Sequence, residues 1–319
     1  MSRLLRIATR ASELALRRAR AVQAMLAARS IDSELVSFRT DGDKHVDEPY
    51  HAASARTLFT RELETALLKE RADIAVHAYP DVPTDSAGDL TIAAILPRDD
   101  ARDALVLNDL LEGTSLGDLP RGTRVGTSSV RCRSLLLALY PELEVVHLRG
   151  DLPTRLRKVD DGQVHATIIS AAALHRLEIS QRISGYLDPP HWLPAPAQGA
   201  VVVQARADDA ATIADVQPLN DARTATDTAA ERAFLTALEG GLQSPVSAQV
   251  IEQQGARVLH GMIVDPQGKQ LLRGAHAIED GQPELAGVRL ANELRGQGAN
   301  RILDAVRGAE RMPTPQPDQ

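Results

Sequence analysis

Residues 4–29, LLRIATRASELALRRARAVQAMLAAR, decide the fold class. The opening LLRIATR reads as a buried strand, and the run from Ser12 onward places apolar residues at helical spacing behind a plausible N-cap. The same plan returns in TRVGTS followed by SVRCRSLLLALYP. Working outward, SELVSF, DIAVHA, TIAAILP, LEVVHLR and ATIISAAAL read as strands, and LFTRELETALLKERA and LPTRLRKVDDG as helices. Strands alternating with helices predict parallel sheets with helices on both faces, an α/β fold. A last, smaller α/β unit is expected from a helix over 225–238, strands near 246–264 and 270–277, and a helix over 284–306.

The linking segments are equally legible. RTDGDKHVDEPYHAASART has no periodicity and predicts a mobile loop over 41–57. YPDVPTDSAGDL is a turn-rich loop, and the Pro-rich DPPHWLPAPAQGAVVVQARADD reads as a crossing back to the first unit. The expected domains are 1–99 with 200–216, then 100–199, then 217–308, with the polar, Pro-rich tail 309–319 disordered.

Composition bounds the function. A chain of 319 residues can hold two or three cores, and a net charge of −7 argues against a general nucleic-acid binder. No apolar run reaches the ~18 residues of a membrane span, and MSRLLRIATR lacks the apolar centre of a signal peptide, so a cytoplasmic protein is expected. The single cysteine, Cys132, excludes an internal disulfide and a Cys-based zinc cluster, and the nine histidines show no metal-ligand spacing. No metal is expected, and a monomer is.

Arginines are the functional clue. Arg10, Arg131, Arg149, Arg155 and Arg176 fall at strand ends, helix starts or loops after strands. Arginine forks bind carboxylates bidentately at any working pH, and ligands of open α/β sheets sit at the carboxyl ends of strands. Solvated surface charge is the alternative reading of each arginine taken singly. Ser12 and Ser128 stand where a helix N-terminus favours an anion, or where they merely cap.

With these pieces in hand, the chain resembles the porphobilinogen deaminase (hydroxymethylbilane synthase) family. The matching motifs, in order, are IATRASELAL, TDGD, LFTRELETALL, DIAVHAYPDVPT, VGTSSVR, LRGDLPTRLRKVDDG, LPAPAQGAVVVQAR and AERAFLTALEGG. The resemblance implies two doubly wound domains like those of periplasmic binding proteins around a cleft, with a smaller C-terminal α/β domain. It implies head-to-tail condensation of porphobilinogen, a small-molecule pyrrole, into hydroxymethylbilane, primed by a dipyrromethane cofactor on a cysteine thioether. Asp81 of YPDVPT matches the catalytic aspartate, although alone it would read as a turn residue. Arg10, Ser12, Ser128, Ser129, Arg131, Arg149, Arg155 and Arg176 match the positions that bind carboxylates of substrate and cofactor.

Three departures fall on the cofactor device. Leu242 follows Gly240 and Gly241 where the family has its anchoring cysteine, Pro80 replaces a lysine before Asp81, and Cys132 replaces the second of two arginines. Leucine cannot form a thioether. Dipyrromethane is therefore expected not to be covalently attached. Cys132 lies between Arg131 and Arg133 at a helix start, a setting that would lower a thiol pKa and offer an alternative anchor; the other reading is a small buried hydrophobe. Two functions stay open: a divergent synthase, and a paralogue that binds polycarboxylated pyrroles without primed polymerisation.

Overall fold

The computed structural model describes residues 4–44, 57–84, 88–241, 243–279 and 281–311. Its first sheet contains β1 (Leu5–Arg10), β2 (Ser33–Phe38), β3 (Ile74–Ala78), β4 (Leu90–Ile95) and β10 (Val201–Arg206), in the order β2-β1-β3-β10-β4. β1 runs parallel to β2 and β3, and β10 is antiparallel to both its neighbours. Alternation along β1 explains the layers. Leu5 and Ile7 pack on Ala19, Val22 and Leu26 of helix α1 (Glu13–Ala27), while Ala8 faces Leu63 and Leu67 of a helix on the other side. Between the two helices a short turn, α2 (Asp41–Lys44), precedes that second helix, α3 (Arg61–Leu68).

The second sheet repeats the first. It holds β5 (Asp103–Leu107), β6 (Arg124–Thr127), β7 (Glu144–His147), β8 (Ala166–Ser170) and β9 (Gly185–Leu187), in the order β7-β6-β8-β5-β9. β6 is parallel to β7 and β8, and β5 is antiparallel to β8 and β9. Helix α4 (Val130–Leu139) covers one face through Leu135 and Leu136, and α5 (Leu152–Asp160) the other through Leu152 and Leu156. α6 (Ala171–Arg176) follows β8 directly. In each sheet the fourth position holds the antiparallel strand that carries the chain between the two units, β5 going out and β10 coming back. The crossing read in LPAPAQGAVVVQAR thus ends as a central strand of the first sheet.

After α7 (Ala210–Val216), α8 (Ala222–Ala237) leads into a three-stranded antiparallel sheet, β11 (Val246–Gln253), β12 (Ala256–Val264) and β13 (Leu271–Ala277). α8, α9 (Pro283–Gly296) and α10 (Ala299–Arg311) build its core with Phe234, Leu290, Leu294 and Ile302. Met262 and Val264, on the sheet's other face, join the α4 cluster of the second unit.

Several expectations need correction. The run 246–264 is a hairpin and not one strand, because Gln254 and Gly255 take positive φ (52° and 80°) and turn the chain. The helix expected over 284–306 breaks at Gly298, whose φ of 106° no helix accommodates. In ATIISAAAL only Ala166–Ser170 is a strand; the alanines begin α6, as their helix propensity favours. Asp41–Lys44 are helical, whereas 45–56 of the expected loop lie outside the described residues. α10 continues to Arg311, three residues into the tail expected from 309 to lack structure, and 312–319 lie outside the described residues.

Candidate active site

Asp81 ends a 3-10 turn, Tyr79–Asp81, at the carboxyl end of β3. The turn is held from two sides. Tyr79 N–H donates to the carbonyl of Ala200 (3.0 Å), and Arg232 of α8 donates to the carbonyls of Val82 (3.0 Å) and Pro83 (2.7 Å) while stacking on the Tyr79 ring at 4.5 Å. Asp81 itself makes no ion pair or side-chain hydrogen bond among the described residues. Burial raises its pKa, the positive charges of Arg10 and Arg18 oppose that shift, and Asp43 adds to it. A carboxyl group held this way keeps its proton more readily than an exposed aspartate.

The sequence-predicted residues divide into two groups. On the first unit, Arg10 ends β1 and lies 4.3 Å from the Phe59 ring centroid. It forms a two-point ion pair with Asp43 of α2, through Nη2–Oδ1 and through Nε–Oδ2 at 3.3 Å. Asp43 also accepts from the Thr40 amide (3.1 Å) and hydroxyl (2.8 Å). Burial pushes the Asp43 carboxyl up, but these donors outweigh it and leave the group below its ordinary pKa. Ser12 precedes α1 with extended backbone, and its side chain makes no capping bond. On the second unit, Ser128 and Ser129 form the β6–α4 turn, Arg149 follows β7, Arg155 sits in the first half of α5 and Arg176 ends α6. Ser129 does cap α4, accepting from Cys132 N–H at 3.3 Å. Arg149 Nε donates to His147 Nε2 at 2.6 Å. Burial lowers the His147 pKa, and Arg149, Arg133 and Lys158 lower it further, so several cations converge there. Both groups thus edge the carboxyl ends of parallel strands, where an anionic ligand is favoured.

Three arginines carry their own counter-ions. Besides Arg10, Arg176 pairs with Asp99 (2.6 Å) and donates to the Gly199 carbonyl (2.9 Å). Arg131, read from sequence as a carboxylate ligand, is 7% exposed, pairs with Asp103 (2.8 Å) and donates to the Leu193 carbonyl (2.9 Å). Arg131 therefore ties α4 to the crossing segment. Asp103 also accepts from Trp192 Nε1 (2.7 Å) and Gln198 Nε2 (2.9 Å).

Cys132 does not behave as a cleft thiol. It is 3% exposed and packs with Leu135, Leu136 and Trp192, and burial pushes its thiol up to about 11 despite Arg131. The lowered pKa expected from flanking arginines fails because α4 turns the sulfur into the core while Arg133 points outward to solvent. Leu242 lies outside the described residues; beside it, Ser244 Oγ closes the turn on Gly241, accepting from its N–H (3.1 Å) and donating to its carbonyl (2.6 Å).

The sequence reading missed Arg18, Arg232, Asp99 and His147. Arg18 and Arg232 sit inside amphipathic helices, where a charged residue reads as solvated surface. The missed signal was that both arginines follow another charged residue, in LRRAR and AERAF, so that one of each pair must turn away from its neighbour.

The family model for porphobilinogen deaminase, dipyromethane cofactor binding domain, matches residues 5–214, and that for the porphobilinogen deaminase C-terminal domain matches 225–296. The porphobilinogen deaminase of Syntrophobacter fumaroxidans is 40% identical over 95% of this chain and 98% of that protein. Those of Syntrophotalea carbinolica (40%, 98% of each chain) and Acidithiobacillus ferrooxidans (41%, 97% of this chain and 100% of that one) are similar. This chain belongs to the porphobilinogen deaminase family. Among solved structures, the methionine-binding protein MetQ matches 72% of this chain and 94% of its own, with 15% identity and a TM-score of 0.43. No helix among the described residues is long and apolar enough to cross a membrane, and none of their His, Cys, Asp and Glu side chains cluster as a metal site.

The family's dipyrromethane can be tested against these residues. The arginines offer its carboxylates suitable donors. A thioether has no suitable donor, because the one sulfur nucleophile of the chain is the buried Cys132. The carboxylate half of the cofactor site fits and the covalent half does not.

Proposed function

We propose that this member of the porphobilinogen deaminase family joins porphobilinogen units head to tail in tetrapyrrole biosynthesis, with Asp81 as its central carboxylate. The observation that supports this reading most is the placement of Asp81. It is a carboxylate without a counter-ion of its own among the described residues, facing Arg10 and Arg18 at a strand's carboxyl end. In each condensation the aminomethyl C–N bond breaks and ammonia leaves with the electron pair. The cationic methylene-pyrrole is attacked by the free α-carbon of a second pyrrole; a C–C bond forms and the α-proton departs. A carboxylate beside the ring N–H groups stabilises both cations and, with its raised pKa, can pass protons. Ser12, Ser128, Ser129, Arg10, Arg149, Arg155 and Arg176 are assigned to the acetate and propionate groups.

Leu242 and the buried Cys132 lead us to propose further that no dipyrromethane is covalently attached. Purified protein should have the mass of its sequence, allowing for Met1. It should consume porphobilinogen, with product followed as uroporphyrin after acid cyclisation and oxidation, and Asp81→Asn should abolish this. An added mass of two pyrrole units would overturn the non-covalent reading. Tight binding of porphobilinogen without consumption would favour the binding-protein alternative.

A further inference from the structure

Arg18 lies on α1, nearly two turns beyond the Ser12 N-cap, and faces the charges of Asp81, Arg176, Arg10 and Asp99. Arg10 and Arg176 each already pair with an aspartate, which any ligand carboxylate would have to share. Arg18 is not: its side chain makes no ion pair or hydrogen bond among the described residues, and its Nε is buried without a partner. The residue is half-buried, so the loss of water falls on this Nε–H; a buried donor without an acceptor is costly, and such a group in a native protein needs an explanation. Burial holds it down to about 10 even with Asp81 and Asp99 nearby. The same side chain lines a cavity of about 560 Å³, whose walls include Met25, Leu96, Val201, Asp99 and Arg176. Arg17, Arg20 and Glu178 add charge to the rest of its wall, and this open space beside a cation without a partner among the described residues suits a carboxylate on a short hydrocarbon arm.

We propose that Arg18 is a substrate-binding residue of this cleft, whose guanidinium receives a carboxylate of the pyrrole while Asp81 faces the ring N–H. This rests on the function proposed above. It explains why neither unpaired charge neutralises the other outright: a zwitterionic aminomethyl-pyrrole carrying acid side chains offers a partner to both. Groups facing Arg18 are Asp81, Arg176, Arg10 and Asp99, and groups facing Asp81 are Arg10, Arg18 and Asp43. In both sets only Arg18 and Asp81 make no ion pair or side-chain hydrogen bond among the described residues.

The test is calorimetric titration of porphobilinogen and its dimethyl ester into the unaltered chain, Arg18→Gln and Arg18→Lys. Arg18→Gln should weaken the acid by roughly tenfold or more, as expected for a lost charge-assisted hydrogen bond, and the ester by less than about twofold. Arg18→Lys should recover most of the loss, since it restores the charge without the fork. Unliganded Arg18→Gln should melt no lower than the unaltered chain, because the buried Nε–H makes no bond among the described residues that could be lost. If the unaltered chain binds porphobilinogen and Arg18→Gln binds it equally well, this role is wrong and the proposed function survives. Equal losses on acid and ester with a lowered melting temperature would mark Arg18 as structural and also overturn the role. An unaltered chain that binds neither porphobilinogen nor a linear tetrapyrrole overturns the function and this proposal together.

Discussion

Glu231 and Arg98 form a two-point ion pair, 2.7 and 2.9 Å, in which the glutamate is wholly buried. The same carboxylate accepts from the amides of Ala197 (2.7 Å) and Val250 (2.9 Å). One side chain on α8 thereby joins both crossing segments to the third sheet. Removing one partner of such a pair leaves an uncompensated buried charge. Glu231→Gln should therefore cost about 3–5 kcal/mol, measured by urea denaturation. A change under about 1 kcal/mol would mean the crossings are held by packing alone.

Arg232 is the neighbour that fixes the Asp81 turn. Arg232→Leu keeps much of the bulk over Tyr79 but removes the donors to Val82 and Pro83. The expected result is a loss of roughly 2 kcal/mol in stability. Porphobilinogen binding should weaken as well, since the carboxylate is no longer held in place. Full binding in a destabilised variant would show that the turn orders itself.

His77 on β3 supplies a pH dependence. It is 4% exposed, and burial holds its pKa down to about 4, with Arg10 and Arg18 pressing the same way. The unfolded chain binds this proton near the ordinary value of about 6.5. Between those limits the unfolded state carries more protons, so stability falls as pH drops from about 6.5 to about 4. His77→Gln should flatten that part of the stability profile. An unchanged acid slope would assign the loss to other groups.

Cys132 should resist alkylation. With a thiol at about 11, only about 0.1% is thiolate at pH 8, and the sulfur is also covered. Iodoacetamide should modify it only at the rate of unfolding. Labelling of native protein as fast as an exposed thiol would restore it as an anchor candidate.

Restoring the nucleophile gives a last prediction. Leu242→Cys places a thiol after Gly240 and Gly241, and supplying preformed hydroxymethylbilane should then add a four-pyrrole chain by mass, water leaving as the thioether forms; two further porphobilinogen units would release a tetrapyrrole and leave two rings attached. Cys132→Arg, attractive from sequence as a companion change, should instead unfold α4 from its sheet, because position 132 packs among Leu135, Leu136 and Trp192. No mass gain in a folded Leu242→Cys would mean the site differs beyond the missing sulfur.

What the sequence disclosed follows what is local. The period of β1, the helical spacing of α1 and the repeat of that plan at β6 and α4 are encoded within short windows, so the α/β architecture could be read directly. Asp81 and Arg10 were visible as motif positions. The partner of Arg131 was not, since Asp103 lies on another strand and only the sheet order brings it there. Cys132 misled for a related reason: its flanking arginines are neighbours in sequence, while the direction of its own side chain depends on what α4 covers. For Arg18 the local mark was only its place beside Arg17 in LRRAR; that it lacks a counter-ion depends on where distant carboxylates fall.

The position of β10 has a consequence for synthesis on the ribosome. It lies between β3 and β4, so the first sheet cannot be completed until Val201–Arg206 has emerged, long after β4 at Leu90–Ile95. At ordinary translation speeds of ~5–20 residues per second that gap lasts roughly 5–20 s. Throughout it β3 and β4 each present an unpaired edge, a template for wrong pairing. The nascent chain is most exposed to aggregation while the second unit is being made, and a chaperone that shields strand edges would act in that interval.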